Sequence, residues 1–247
     1  MLSRYDRVYV CLGGLFISAL ITCNLIVQKF FATDLFGLGE HFLNPIGRLV
    51  LGSDFKDTMF ILSVGILPYP VTFLITDIIS EIYGRKRANL IVLAGFFASI
   101  FTILIITTAK AVSAMDGSRV DDDTFDLVFG MTGWAITASM VAYLVAQFVD
   151  IRIYHFWRKL TKEKHLWLRN NASTLFSQLL DTTLVITILF YHDDKMRPAI
   201  PAMILSGFLF KALCALVDTP IMYAAVAYLK PRLRPDDRSS RDSDDRP

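Results

Sequence analysis

The chain has 247 residues, 54% of them hydrophobic and 19% charged, with 13 Gly and 9 Pro, and its mean hydropathy is +0.48. These values exclude a disordered, collagen-like or disulfide-stapled protein and are too apolar for an ordinary soluble domain, which carries about 25% charged residues. With 25 basic against 23 acidic residues, no net field draws the chain to nucleic acid.

The apolar residues fall in long blocks. A run of about 20 residues crosses a hydrocarbon layer about 30 Å thick, and six such runs are predicted as helices over 8–28, 59–80, 88–110, 131–153, 170–190 and 202–229. The expected fold is therefore an all-α, polytopic membrane protein with six transmembrane helices over 1–230. A disordered cytoplasmic tail, alternating Asp, Arg and Ser, is expected over 231–247. The first run follows Arg4 and Arg7, yet it is longer than the core of an export signal and five more follow it, so it reads as a retained helix.

The first span carries Asn24 and Gln28 at i, i+4, together with Cys11 and Cys23. Those cysteines are about 18 Å apart along a helix, too far for a disulfide. The stretch 30–58, with five glycines and prolines, reads as a long outer loop with a re-entrant option. In the second span, Gly65, Pro68 and Pro70 interrupt the backbone ladder. Such breaks persist at membrane depth only where protein or water satisfies the freed groups, and transporters bind substrates at them. Beyond the break, Asp77 and Glu81 share one face near the helix end, where anchoring by Arg85 or Lys86 competes with substrate contact.

Between the third and fourth spans lies an Asp-rich insert over 116–126. The fourth span ends with Gln147 and Asp150, and 152–169 interleaves aromatics with bases, as in a helix at the inner membrane surface. In the fifth span Ser173, Ser177 and Asp181 recur every four residues, with Gln178 on the adjoining stripe. In the sixth, Lys211 and Asp218 lie on one face about 10 Å apart, too far to pair with each other. Lys211 then either pairs with an acid on a neighbouring helix or serves a polar cavity. A charged side chain at mid-membrane costs about 2.5–3.5 kcal/mol, so several imply a polar interior. Gln147-x-x-Asp150 and Gln178-x-x-Asp181 repeat a short pattern, a hint of two three-helix halves.

Lys and Arg in alternate loops divide 17 to 7, which places both termini in the cytoplasm. No GxxxxGK[ST] loop or HExxH pair is present, and the four histidines are unpaired at metal-ligand spacing. The expectation is thus a non-enzyme without cofactor or metal, whose partners are a small molecule and the lipid bilayer rather than nucleic acid. A second copy or an energising partner remains open.

The strings YPVTFLITDIISEIYGRKRA (69–88) and LRNNASTLFSQLLDTTLVITILF (168–190) resemble the two signature regions of the queuosine-precursor transporter family, vitamin-uptake-like membrane proteins. The first follows that family's pattern through Asp77, Glu81, Tyr83 and Gly84; the second does so through Ser173, Ser177, Gln178, Asp181 and Thr182. The outer loop 30–58 and the insert 116–126 depart from it. The resemblance implies uptake of a 7-deazaguanine-type base across the cell inner membrane for salvage into the modified tRNA nucleoside. Such a base presents N1–H and 2-amino donors that a carboxylate accepts in pairs. Asp181 is then the expected acceptor, with Gln178, Asn24 and Gln147 as amide partners and Tyr69 and Tyr143 as stacking rings. Asp77 and Glu81 shape the cytoplasmic side, and Lys211 and Asp218 are candidates for proton or ion coupling. A carrier or a substrate-capture subunit for another small polar solute shares every one of these features.

Overall fold

The computed structural model describes residues 3–35, 37–52, 59–160 and 166–233. It opens with α1 (Arg4–Leu25), capped by Ser3, whose hydroxyl oxygen accepts the Asp6 N–H at 3.0 Å while donating to the Asp6 carboxylate at 2.7 Å. Leaving α1, the chain forms β1 (Phe30–Thr33), a π-helical turn (Gly39–Leu43) and α2 (Asn44–Leu51), then returns as β2 (Phe60–Ser63). The strands pair antiparallel, with Phe30 opposite Ser63 and Thr33 opposite Phe60.

This segment folds into the protein. Leu43, Phe60 and Leu62 are buried and pack with Leu205. The hairpin satisfies most of its own backbone, and the Ile61 N–H donates to the buried hydroxyl of Ser206 at 3.3 Å. Those are the conditions under which non-helical chain survives within a membrane protein. The expected re-entrant outer loop is thus an element with its own two-stranded sheet, which the all-α reading lacked.

The helix expected over 59–80 is not continuous. After β2 comes a 3₁₀ turn (Val64–Ile66), and α3 starts only at Tyr69 and runs to Tyr83. Pro68 caps it and Pro70 sits in its first turn, where a missing N–H costs nothing. The break leans on α1 so closely that a Cβ on Gly65 would collide with the carbonyl oxygen of Cys23.

Gly84, at φ +84°, reverses the chain into α4 (Arg85–Lys110). Then follow α5 (Asp122–Phe129), α6 (Thr132–Leu160), α7 (Leu166–Phe190) and α8 (Ile200–Leu229). The aromatic and basic stretch after 152 belongs, as far as Leu160, to α6 itself rather than to a separate surface helix. Residues 161–165 and the expected disordered tail from 234 onward lie outside the described residues.

Apolar stretches long enough to cross a membrane cover Arg4–Leu25, Val64–Tyr83, Lys86–Lys110, Asp122–Tyr143 and Arg197–Arg232, and Leu175–Phe190 adds a shorter one. On α4, Leu90, Leu93, Phe97, Phe101 and Leu104 recur every three or four residues and are all half or more exposed. On a helix this long and apolar, such a stripe fits a lipid-facing surface. The protein is therefore a mainly helical, multi-pass membrane protein.

Inside, α3 packs against α1, α4 and α8, while α7 bridges α8 and α6. One core joins Phe16, Ile75, Ile79, Tyr83 and Ile91. At the same end of the bundle, Arg87 lies 5.1, 5.4 and 5.8 Å from the rings of Tyr5, Tyr9 and Tyr83. Tyr83 donates to the Tyr5 carbonyl and Tyr9 to the Arg87 carbonyl, each at 3.0 Å. This aromatic knot ties the start of α1 to the α3–α4 turn.

Candidate functional site

Where the break in α3 meets α7 and α8, three side chains converge. Lys211 of α8 donates from Nζ to Oδ2 of Asp181 on α7 at 3.0 Å, and the same Nζ lies 4.5 Å from the centre of the Tyr69 ring. Tyr69 in turn packs against Phe73, with centroids 4.5 Å apart. The Lys211 side chain is 9% exposed and that of Asp181 is 23% exposed. Among the described residues nothing engages Oδ1 of Asp181.

Each helix brings its member here for a local reason. Starting α3 at Tyr69, instead of continuing a helix from residue 59, sets the ring at the broken end facing α8. Gly207, one turn before Lys211, lets α8 approach α7, because a Cβ there would stand 3.2 Å from the Thr182 methyl. Cys23 of α1 is within electrostatic range of Lys211 and Tyr69. Its neighbour Asn24 is buried, donating to the Leu20 carbonyl at 3.0 Å and accepting from Ser139 of α6 at 3.4 Å.

The other expected site residues are distributed unevenly. Gln178 lies on α7 three positions before Asp181, partly buried. Asp77 and Asp218 are within electrostatic range of each other, as are Asp218 and Cys214. Each acid lies seven or eight residues, about 10–12 Å, beyond Lys211 or Tyr69 along its helix, so the two carboxylates form a separate layer. Glu81 is further away still, where its Oε1 accepts from Lys230 Nζ at 2.7 Å. Tyr143 is 49% exposed and is not drawn to the cluster. The side chain of Gln147 lies outside the described residues.

Sequence reasoning passed over Ser139 and Ser206, two lone hydroxyls in apolar helices. It also left open which acid Lys211 meets; a buried base with no acid at i±3 or i±4, and its nearest acid on the same face, Asp218, two turns away, is the signal for an interhelical partner.

The sequence pattern of one family, described as "Putative vitamin uptake transporter", matches residues 63–225. The chain belongs to that family. It is 28% identical over 182 residues to the "Probable queuosine precursor transporter" of Bacillus subtilis (strain 168), covering 72% of this chain and 76% of the relative. It is 27% identical over 164 residues to the "Queuosine precursor transporter" of Escherichia coli (strain K12), covering 66% and 71%. A "Probable queuosine precursor transporter" of Haemophilus influenzae is 29% identical over 140 residues, 56% of each chain. No solved structure matches.

The region shared with the vitamin uptake transporters starts at the last residue of β2 and contains the break, Tyr69, Asp77, Asp181, Lys211 and Asp218, whereas Asn24 precedes it. Chemically, the cluster offers an aromatic face, a carboxylate oxygen and an ammonium group in a setting of low dielectric, where each polar contact to a ligand counts for more than in water. That is equipment for holding a flat, polar molecule.

Proposed function

We propose that this protein imports a queuosine precursor, a 7-deazaguanine-type base, across the cytoplasmic (inner) membrane, with both termini in the cytoplasm. The observation that carries the reading is the buried Lys211–Asp181 pair beside Tyr69 at the broken start of α3. Family membership and the names of the three relatives support it. A buried ion pair is a poor device for stability, since apolar residues of similar volume serve as well or better; its retention fits a polar ligand.

In this mechanism the base enters flat against Tyr69, and its N1–H and 2-amino group donate to Asp181. Gln178 and Asn24 supply amide contacts from α7 and α1. Asp77 and Asp218, nearer the cytoplasmic end, form the exit layer and the place for any coupled proton. Glu81, through Lys230, holds that end together. The 17-to-7 division of basic residues orients the chain, and the acidic α5 region then faces outward.

Accumulation of radiolabelled 7-cyano-7-deazaguanine in cells unable to make queuosine tests this. Cells carrying the protein accumulate label and restore the tRNA modification. An Asp181→Ala variant of normal membrane abundance loses uptake by about a hundredfold, the scale of a charge-assisted, paired contact left unmade. Wild-type uptake by that variant removes the central assignment, and unmodified tRNA with the inserted wild type removes the substrate.

A further inference from the structure

An ammonium group and a carboxylate held together are more than a neutralised pair. Lys211 has three N–H donors; one goes to Asp181 and the Tyr69 ring covers a second direction. Asp181 receives Lys211 on Oδ2 and has Oδ1 unengaged among the described residues. With Nζ and Oδ2 3.0 Å apart, the pair presents the remaining ammonium donors beside a carboxylate edge, next to an aromatic face. A lactam, a ring carbonyl adjacent to a ring N–H, carries the complementary sequence of groups. A 6-amino heterocycle carries the opposite one: its amino group would face the Lys211 donors, and its unprotonated N1 would face the carboxylate.

We propose that Lys211 is a specificity-determining residue, donating to the 6-oxo oxygen of the transported base while Asp181 accepts from N1–H and the 2-amino group, so that the pair selects 2-amino-6-oxo heterocycles over 6-amino ones. This rests on the transport reading above. It gives Lys211 a ligand contact in place of the coupling role expected from its sequence position, and assigns to Lys211 the carbonyl contact that an amide side chain would otherwise make. The burial of Lys211 supports the selection, because a buried donor facing another donor has no water to turn to.

The test measures uptake of radiolabelled 7-cyano-7-deazaguanine against two unlabelled competitors, 7-deazaguanine and 2,6-diamino-7-deazapurine. The two share the 2-amino group and differ at position 6 and N1–H. Wild type prefers 7-deazaguanine by at least about tenfold in half-inhibitory concentration, the scale of discrimination when a site's hydrogen bonds are mismatched. Lys211→Met reduces the preference to within about threefold, and Lys211→Gln, which keeps a neutral donor, retains more of it. Should Lys211→Met fail to reach the membrane, Lys211→Met combined with Asp181→Asn removes the stranded charge and is read instead by the two competitors' displacement of labelled base from the detergent-solubilised protein, with weaker binding overall and the same loss of preference expected. Wild-type preference in the Met variant, equal behaviour of Met and Gln, or failure of both Met variants to insert overturns the proposal in favour of a purely structural pair. Absence of any wild-type uptake, by contrast, overturns the transport reading itself.

Discussion

Two ion pairs join α8 and its end to neighbouring helices, and they differ in everything except chemistry. Lys230–Glu81 is the shorter, at 2.7 Å, with both side chains more than half exposed; Lys211–Asp181 is 3.0 Å, with side chains 9% and 23% exposed. Distance would rank the exterior pair first. Burial reverses the ranking, because the Coulomb energy of an exposed pair is screened by water, while a stranded charge in the interior has no substitute solvent. The exterior pair tethers an end of the bundle. The interior one is a liability that function has to justify.

The sharpest way to break this comparison is to remove single charges. Lys211→Met leaves Asp181 without its partner and is expected to cost about 3–5 kcal/mol, read as a large fall in the thermal midpoint of the detergent-solubilised protein. Lys211→Met with Asp181→Leu recovers most of that loss, since no charge is left behind, yet does not recover uptake. Recovery of both would make the pair structural.

A second prediction concerns how the break is seated. Gly65→Ala pushes a methyl group into the Cys23 carbonyl and is expected to destabilise by about 1–3 kcal/mol, the range for overpacked sites. It also shifts Tyr69 relative to Lys211, so uptake falls with it. Gly14→Ala is the control. A Cβ at Gly14, on the same α1, meets nothing within 4 Å, and the substitution is neutral or slightly stabilising for a helix interior.

What could be read in advance follows the same division between local and long-range information. The proline break was legible because Pro68 and Pro70 act on their own backbone. So was the polar stripe through Asp181, because helical periodicity is local. The Lys211–Asp181 pairing was not: the residues are thirty positions apart, and which of several acids Lys211 meets depends on the rotation of α7 against α8. The hairpin escaped for another reason. Its strands are four residues long and separated by α2, and a short apolar run such as Phe60–Ser63 has no period to distinguish strand from helix. Tyr143 shows the opposite failure, where the resemblance suggested a stacking ring beside the site but the ring is half-exposed.

The exterior pair supplies the smaller test. Glu81→Gln is expected to shift stability by less than about 1 kcal/mol, the range of exposed ion pairs, and the shift shrinks further in high salt. Uptake changes little if Glu81 only tethers α3 to the end of α8. A loss of uptake comparable to that of Asp181→Ala, with abundance unchanged, would put Glu81 on the substrate path and dissolve the contrast with Lys211–Asp181.

The smallest expected effect is at the fully exposed start of α5. Asp121 caps that helix, its carboxylate accepting the Thr124 N–H at 2.8 Å, and hydrogen bonding to Thr124 holds its pKa below the usual carboxylate range. A depressed carboxyl pKa means that the cap is fully present above the unfolded value, about 3.9, and is lost as pH falls through the folded value. Amide exchange at Thr124, measured relative to Asp121→Asn at each pH, should therefore quicken as the solution is taken from pH 5 towards pH 3. Asparagine keeps the acceptor oxygen without the titration, so the ratio isolates the charge. An unchanged ratio would mean that the α5 start is held by other contacts, such as the Lys110–Asp126 pair at 3.1 Å. Uptake should not follow this titration, because the loop lies at the ends of α4 and α5, far along the chain from the break where Tyr69, Asp181 and Lys211 meet.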